Sequence, residues 1–191
     1  MIRELSETGA RLRTEFFEAN AERVARAART IADRLKRGGK VLFCGNGGSA
    51  ADCQHLAAEF VSRFRMERSP LPGIALTTDT SVLTAVGNDY GFREIFSRQV
   101  RALAGEEDVV AGISTSGSSP NVIRALEAAG EAGAYRIGLT GGRGGDIVSS
   151  SEIAFQVPSE VTALIQEVHI AVGHMLCHLT EYHLFEAGDA E

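Results

Sequence analysis

The sequence predicts an α/β domain in three layers, a sheet of five parallel strands with helices on both faces, preceded by N-terminal helices. Three observations carry this. Short apolar runs alternate with helical patterns from residue 41 to residue 185. Turns rich in glycine or hydroxyls follow several of the runs. A chain of 191 residues, 44% hydrophobic and 23% charged, suits one domain with its own core.

Taken in order, residues 2–36 place Leu12, Phe16, Val24, Ala28, Ile31 and Leu35 at helical spacing with charges between them. This reads as two helices, broken near Asn20 and stopped by Gly38-Gly39. The extension, residues 1–37 of a single domain spanning 1–191, has an apolar face to cover, on the core or on a neighbouring subunit. Strands are expected at 41–44, 73–77, 109–114, 136–140 and 153–157. Helices are expected at 49–64, at 81–85 with 92–103, at 120–132, briefly near Asp146, and at 162–185. Parallel strands need right-handed crossovers, and such folds bind ligands at the carboxyl ends of the strands.

Charge and composition exclude several classes. The net charge is -6 and no Lys/Arg cluster is interleaved with aromatics, so no nucleic-acid partner is expected. No apolar run is long enough to span a membrane, and the first twenty residues lack the apolar core of a signal peptide. Cys44, Cys53 and Cys177 are odd in number, far apart and set in apolar patterns, which points to reduced thiols and a cytoplasmic protein.

Cys44-Gly45-Asn46-Gly47-Gly48-Ser49 joins the first strand to a helix. Its glycines let the backbone approach a ligand, and the amides of the helix start suit an anion. Ser114-Thr115-Ser116-Gly117-Ser118-Ser119 precedes Pro120 at the first position of a helix. Its hydroxyls and amides suit a phosphate, although capping selects the same residue types. Thr140-Gly141-Gly142 is a third such turn.

His55 and Glu59 stand at i and i+4 on one helix face, while His169, His174, His178 and His183 lie on the last helix. His178 and His183 read as residues of a helix end that favours cations. Two ligands are too few for a metal, and Gln166 and His174 are the available partners. Their eight-residue separation is a rise of about 12 Å, so both meet one ion only if their side chains point toward each other. Of the two, His174 is the stronger ligand candidate. Asn88-Asp89-Tyr90-Gly91-Phe92 reads as a turn or a binding segment, and Arg63 as a partner for a phosphate or a surface carboxylate.

The 44–49 turn, the His55/Glu59 pair, Thr84-Ala85-Val86-Gly87-Asn88-Asp89-Tyr90-Gly91-Phe92, Gly112-Ile113-Ser114 through Ser119, and Ile165-Gln166-Glu167-Val168-His169 occur in the order seen in bacterial phosphoheptose isomerases. The chain resembles that family, sugar-isomerase (SIS) domain proteins with a flavodoxin-like sheet, along essentially its whole length. The resemblance implies an aldose-ketose isomerase that interconverts D-sedoheptulose 7-phosphate and D-glycero-D-manno-heptose 7-phosphate through an enediol. That product feeds nucleotide-activated heptose and lipopolysaccharide synthesis. The resemblance also implies a homotetramer with sites at subunit interfaces and one zinc per subunit.

Carried over, Asn46, Gly47, Gly48, Asn88, Asp89, Ser114, Thr115, Ser116 and Ser119 hold the substrate, with Arg63 counted beside them. His55, Glu59, Gln166 and His174 form the metal and catalytic cluster, Glu59 as base and His174 as acid, with Glu59 and Gln166 also facing substrate. The chain departs from the family at Leu164, where Arg is common, at Ala163, where some members carry a polar or acidic residue, and at Ser118, where Asn is common. Two alternatives stand beside this reading: a non-catalytic regulator of the same fold that binds a protein partner, and an isomerase of another phosphosugar. The regulators generally lack the acidic residue and the C-terminal histidine, both of which are present here as Glu59 and His174.

Overall fold

Every residue of β1 (Val41–Gly45) and β3 (Val109–Ser114) is buried, which explains why these strands read as unbroken apolar runs rather than alternating ones. With β2 (Gly73–Ala75), β4 (Tyr135–Thr140) and β5 (Ile153–Gln156) they form one parallel sheet in the order β2-β1-β3-β4-β5. The register pairs Val41 with both Gly73 and Val109, Val109 with Tyr135, and Ile137 with Ile153. This computed structural model describes residues 1–187.

Successive strand residues feed opposite layers. Val41, Phe43, Val109, Ala111, Ile113, Ile137 and Leu139 join a core with α1 (Ile2–Lys36), α2 (Gly48–Val61) and α7 (Thr162–Glu181). Leu42, Cys44 and Val110 join the other, with α4 (Ser97–Leu103), α5 (Pro120–Glu131) and Ile147 of α6 (Asp146–Ser149). The chain winds one way from β1 to β2 and the other way from β3 onward, so the carboxyl ends of β1 and β3 flank a topological switch point.

Two expectations change. The N-terminal segment is one helix of 35 residues, not two. Asn20 does not break it because its Nδ2 donates to the Phe16 carbonyl at 2.9 Å, so the side chain bonds within the helix instead of diverting the backbone. The segment expected as one helix over 92–103 is a single 3-10 turn, Phe92–Glu94, followed by α4 from Ser97, with α3 (Thr80–Asp89) before it. Phe16, Val24, Ala28 and Ile31 of α1 pack on Val168, Val172 and Leu176 of α7, and Arg23 donates to the Ala154 carbonyl of β5 at 2.8 Å.

α2 and α7 run parallel across one sheet face: Gly48 meets Gln166 near the start of each, and His55 and Leu56 meet His174 and Gly173 further along both. Gly173 permits this approach, since a Cβ there would lie 2.5 Å from a Leu56 methyl. The end of β4 is tied to α7 by His169, fully buried, whose Nε2 donates to the Thr140 carbonyl at 3.1 Å. Its Nδ1 is buried without a partner.

Burial pushes His169 from its ordinary 6.5 down to about 4, against a smaller opposing contribution from the Thr140 bond. The unfolded chain therefore takes up this proton first, so the contribution is whole above the unfolded value of 6.5 and is lost as pH falls toward about 4. At full loss this is about 3 kcal/mol. His169→Gln retains a donor for Thr140 but does not titrate. Urea unfolding between pH 7.5 and 4.5 is expected to show wild type losing its advantage over this variant on acidification. A constant difference would show that His169 does not titrate in this way.

Candidate active site

Asn46 follows β1 and faces the start of α5 across the switch point. Its amide pairs reciprocally with that of Asn121: Asn46 Nδ2 donates to Asn121 Oδ1 at 2.9 Å, and Asn121 Nδ2 donates to Asn46 Oδ1 at 2.8 Å. Asn121 is 2% exposed and its Oδ1 also accepts the Val122 amide at 3.0 Å, so this pair locks the first turn to the third-strand turn. Sequence reasoning missed Asn121. Placed just after Pro120, it looks like an ordinary helix-start residue.

The third-strand turn is a hydroxyl chain. Ser114 Oγ lies 2.8 Å from Ser119 Oγ and 3.3 Å from Ser116 Oγ, and Ser116 Oγ accepts the Ser118 amide at 3.3 Å. Ser119 occupies the cap position of α5, but its hydroxyl makes no capping bond. The hydroxyls are thus committed to one another and not to helix ends, which favours a ligand role over simple capping. Thr115, Ser116 and Ser118 border a cavity of about 250 Å³ closed by Gly142, Arg143 and Ser159.

His55 and Glu59 lie on α2 with Nε2 and Oε1 3.4 Å apart, and His55 Nε2 lies 2.9 Å from His174 Nε2. The Phe64 ring covers His174 at a centroid distance of 5.4 Å. Burial, and then the nearby His55, push the His174 imidazole below its ordinary range, while Glu59 opposes them. The cluster opens to solvent, with the His55 side chain 48% exposed and that of Glu59 21%.

Among the described residues, no group of three or more His, Cys, Asp or Glu side chains is already arranged to hold a metal ion. The nearest approach is His55, Glu59 and His174. Two ligands of one tetrahedral zinc lie about 3.3 Å apart, so the 3.4 Å spacing matches and the 2.9 Å imidazole spacing must open slightly.

Gln166 lies on α7 eight residues before His174. Its amide faces the first turn of α2, where a Cβ on Gly48 would lie 2.5 Å from Nε2, so Gly48 leaves room for that amide. Between the two levels sits Asp52, on the same α2 stripe, with Oδ2 buried and unpartnered and a carboxyl pushed up by burial against a lowering by His55. Sequence reasoning passed over Asp52, although its position one turn after Gly48 and three residues before His55 places it on that stripe.

Arg63 pairs with Glu67 at 3.4 Å on the surface, the bland alternative for that residue and a contact of little energy. Asn88 and Asp89 are exposed on the last turn of α3, where Asn88 Nδ2 donates to Asp89 Oδ1 at 2.7 Å. Gly47 and Gly48 are exposed at the first turn. Burial raises the three thiols, Cys44 to about 12, so none is a nucleophile.

The model of the SIS domain family matches residues 6–141. A phosphoheptose isomerase of Nitratidesulfovibrio vulgaris is 60% identical over 178 residues, covering 93% of this chain and 86% of that protein. One from Solidesulfovibrio magneticus is also 60% identical, covering 98% and 91%. The solved phosphoheptose isomerase of Francisella tularensis superposes with a TM-score of 0.89 at 42% identity, covering 94% of this chain and 95% of that one. That of Neisseria gonorrhoeae gives 0.88 at 44%, covering 94% and 96%.

Asn121→Ala is expected to cost about 2 kcal/mol of unfolding free energy in urea, because it leaves the half-buried Asn46 amide unpaired and removes a buried amide from the start of α5. A loss below about 0.5 kcal/mol would show that Asn46 finds another partner.

Proposed function

We propose, because the chain belongs to the SIS domain family and to the phosphoheptose isomerases within it, that it is an aldose-ketose isomerase converting sedoheptulose 7-phosphate to D-glycero-D-manno-heptose 7-phosphate. The observation that carries this reading is that His55 meets both Glu59 and His174, which gathers a carboxylate and two imidazoles at one opening. A regulator that only binds a partner has no need of that group.

The reaction moves one proton between neighbouring carbons through an enediol. The hydroxyl turn 114–119 receives the phosphate and fixes the far end of the sugar. Glu59 Oε1 faces His55 Nε2 at 3.4 Å, which leaves Oε2 to take the proton from carbon and return it to the next carbon. His174, kept largely neutral by burial, exchanges a proton with the sugar oxygens. Asn46, held by Asn121, and Gln166, held against Gly48, are placed for the sugar hydroxyls.

His55, Glu59 and His174 would hold zinc, and Gln166 would join them only by turning away from Gly48. When bound, the ion polarises the carbonyl. The reading includes a homotetramer: the exposure of His55 and of Asn88-Asp89 suits a site completed by a second copy of the chain. The three buried free thiols favour a cytoplasmic setting, and no helix among the described residues is long and apolar enough to cross a membrane.

Incubation of the purified protein with sedoheptulose 7-phosphate, with and without added zinc, is expected to yield the heptose aldose phosphate. No conversion under either condition would sink the reading, and conversion of another sugar phosphate alone would reassign the substrate. Glu59→Gln is expected to lower turnover by roughly 10² to 10⁴ with folding unchanged. Near-wild-type turnover would remove Glu59 from the mechanism.

A further inference from the structure

The segment after α2 is fastened by a buried ion pair that the mechanism above does not use. Arg68 and Glu181 have side chains 2% and 3% exposed and meet at 2.8 Å. The Glu181 carboxylate is fully occupied: Oε1 accepts the Phe64 amide at 2.8 Å and Arg68 Nε at 2.8 Å, and Oε2 accepts the Arg65 amide at 3.0 Å and the Met66 amide at 3.4 Å. Burial favours the protonated acid, but these bonds outweigh it and hold the carboxyl below its usual range.

Arg68 also donates to two carbonyls at the end of α2 and to one in its own loop. Its Nη2 donates to the Glu59 carbonyl at 2.9 Å, and its Nη1 to the carbonyls of Phe60 at 2.9 Å and Ser69 at 3.0 Å. The last carbonyls of a helix otherwise lack partners, and the planar guanidinium reaches several at once, as an ammonium cannot. One bond thus ends on the backbone of Glu59 itself. Glu181 lies on α7 seven residues past His174, and the amide it holds belongs to Phe64, whose ring covers His174.

We infer that Arg68 and Glu181 are positioning residues, a clamp between the end of α2 and α7 that fixes Glu59 and the Phe64 ring relative to His174. The inference rests on the isomerase reading for its kinetic consequence but not for its geometry. A buried pair of this kind is weak evidence of stability in itself, since packed apolar residues often do as well, and its bonds to the Glu59 carbonyl and the Phe64 amide point to a specific task. The phosphate turn 114–119 lies on other elements and is untouched by the clamp.

The test compares wild type with Glu181→Gln and Arg68→Lys, each first shown to be folded by its thermal melt. Turnover of sedoheptulose 7-phosphate is expected to fall 10- to 100-fold in kcat, with KM within threefold. Proteins labelled with 13C at histidine Cε1 give an activity-independent reading at one fixed pH, with the His174 signal assigned by its absence from His174→Gln. That signal is expected to move in both variants as the Phe64 ring leaves its place.

A folded variant with kcat within twofold of wild type, or with the loss confined to KM, overturns the inference. So does an unmoved His174 signal. If Glu181→Gln fails to fold, Arg68→Lys, which keeps the charge beside Glu181, decides alone by the same criteria. A wild type without turnover refutes the isomerase reading, and the clamp is then judged by the His174 signal.

Discussion

The site depends on how closely two parallel helices approach across one face of the sheet. Gly173 is the point of contact, because a side chain there would collide with Leu56 and drive α2 from α7. The consequence is felt one residue away on each helix, where His55 and His174 bring their Nε2 atoms to 2.9 Å. Interiors are packed densely enough that a displacement at such a crossing is passed on to its neighbours rather than absorbed. The imidazole pair is therefore set by packing that carries no polar group.

Around that crossing the polar groups divide into two levels. The level nearer the strand ends contains the bonded Asn46–Asn121 pair, the hydroxyl turn and, beside Gly48, the Gln166 amide, and it is suited to holding a ligand. The level further along α2 contains His55, Glu59 and His174, partly open to solvent and suited to moving protons. Asp52 lies between them with one buried carboxylate oxygen that has no partner within the chain. The buried Arg68–Glu181 pair closes the far end. The two levels meet along the α2–α7 pair, where Gln166 lies against Gly48 and His174 against His55.

The strands were legible in the sequence because burial on both faces leaves long apolar runs, and the turns because glycine and hydroxyl clusters punctuate them. The single α1 was not, since Asn20 looks like a breaker until its bond to the Phe16 carbonyl is seen. The His55/Glu59 pair was legible as a helical spacing, and its meeting with His174 was expected from residue type. The place of Gln166 was not, because helical rise gives a separation of levels but not the direction of a flexible side chain. Asn121 and Arg68 escaped notice for one reason: each acts through a partner distant in sequence, 75 residues away for the Asn46–Asn121 pair and 113 for Arg68–Glu181.

The pairing of His55 with His174 spans 119 residues, and α7 is the last long helix of the chain. Contacts of such separation form late, after the loop-closure entropy of the intervening chain has been overcome. A chain interrupted before α7 therefore has the sheet-end turns but neither the imidazole pair nor the clamp on α2. Activity in this architecture serves as a readout of complete folding.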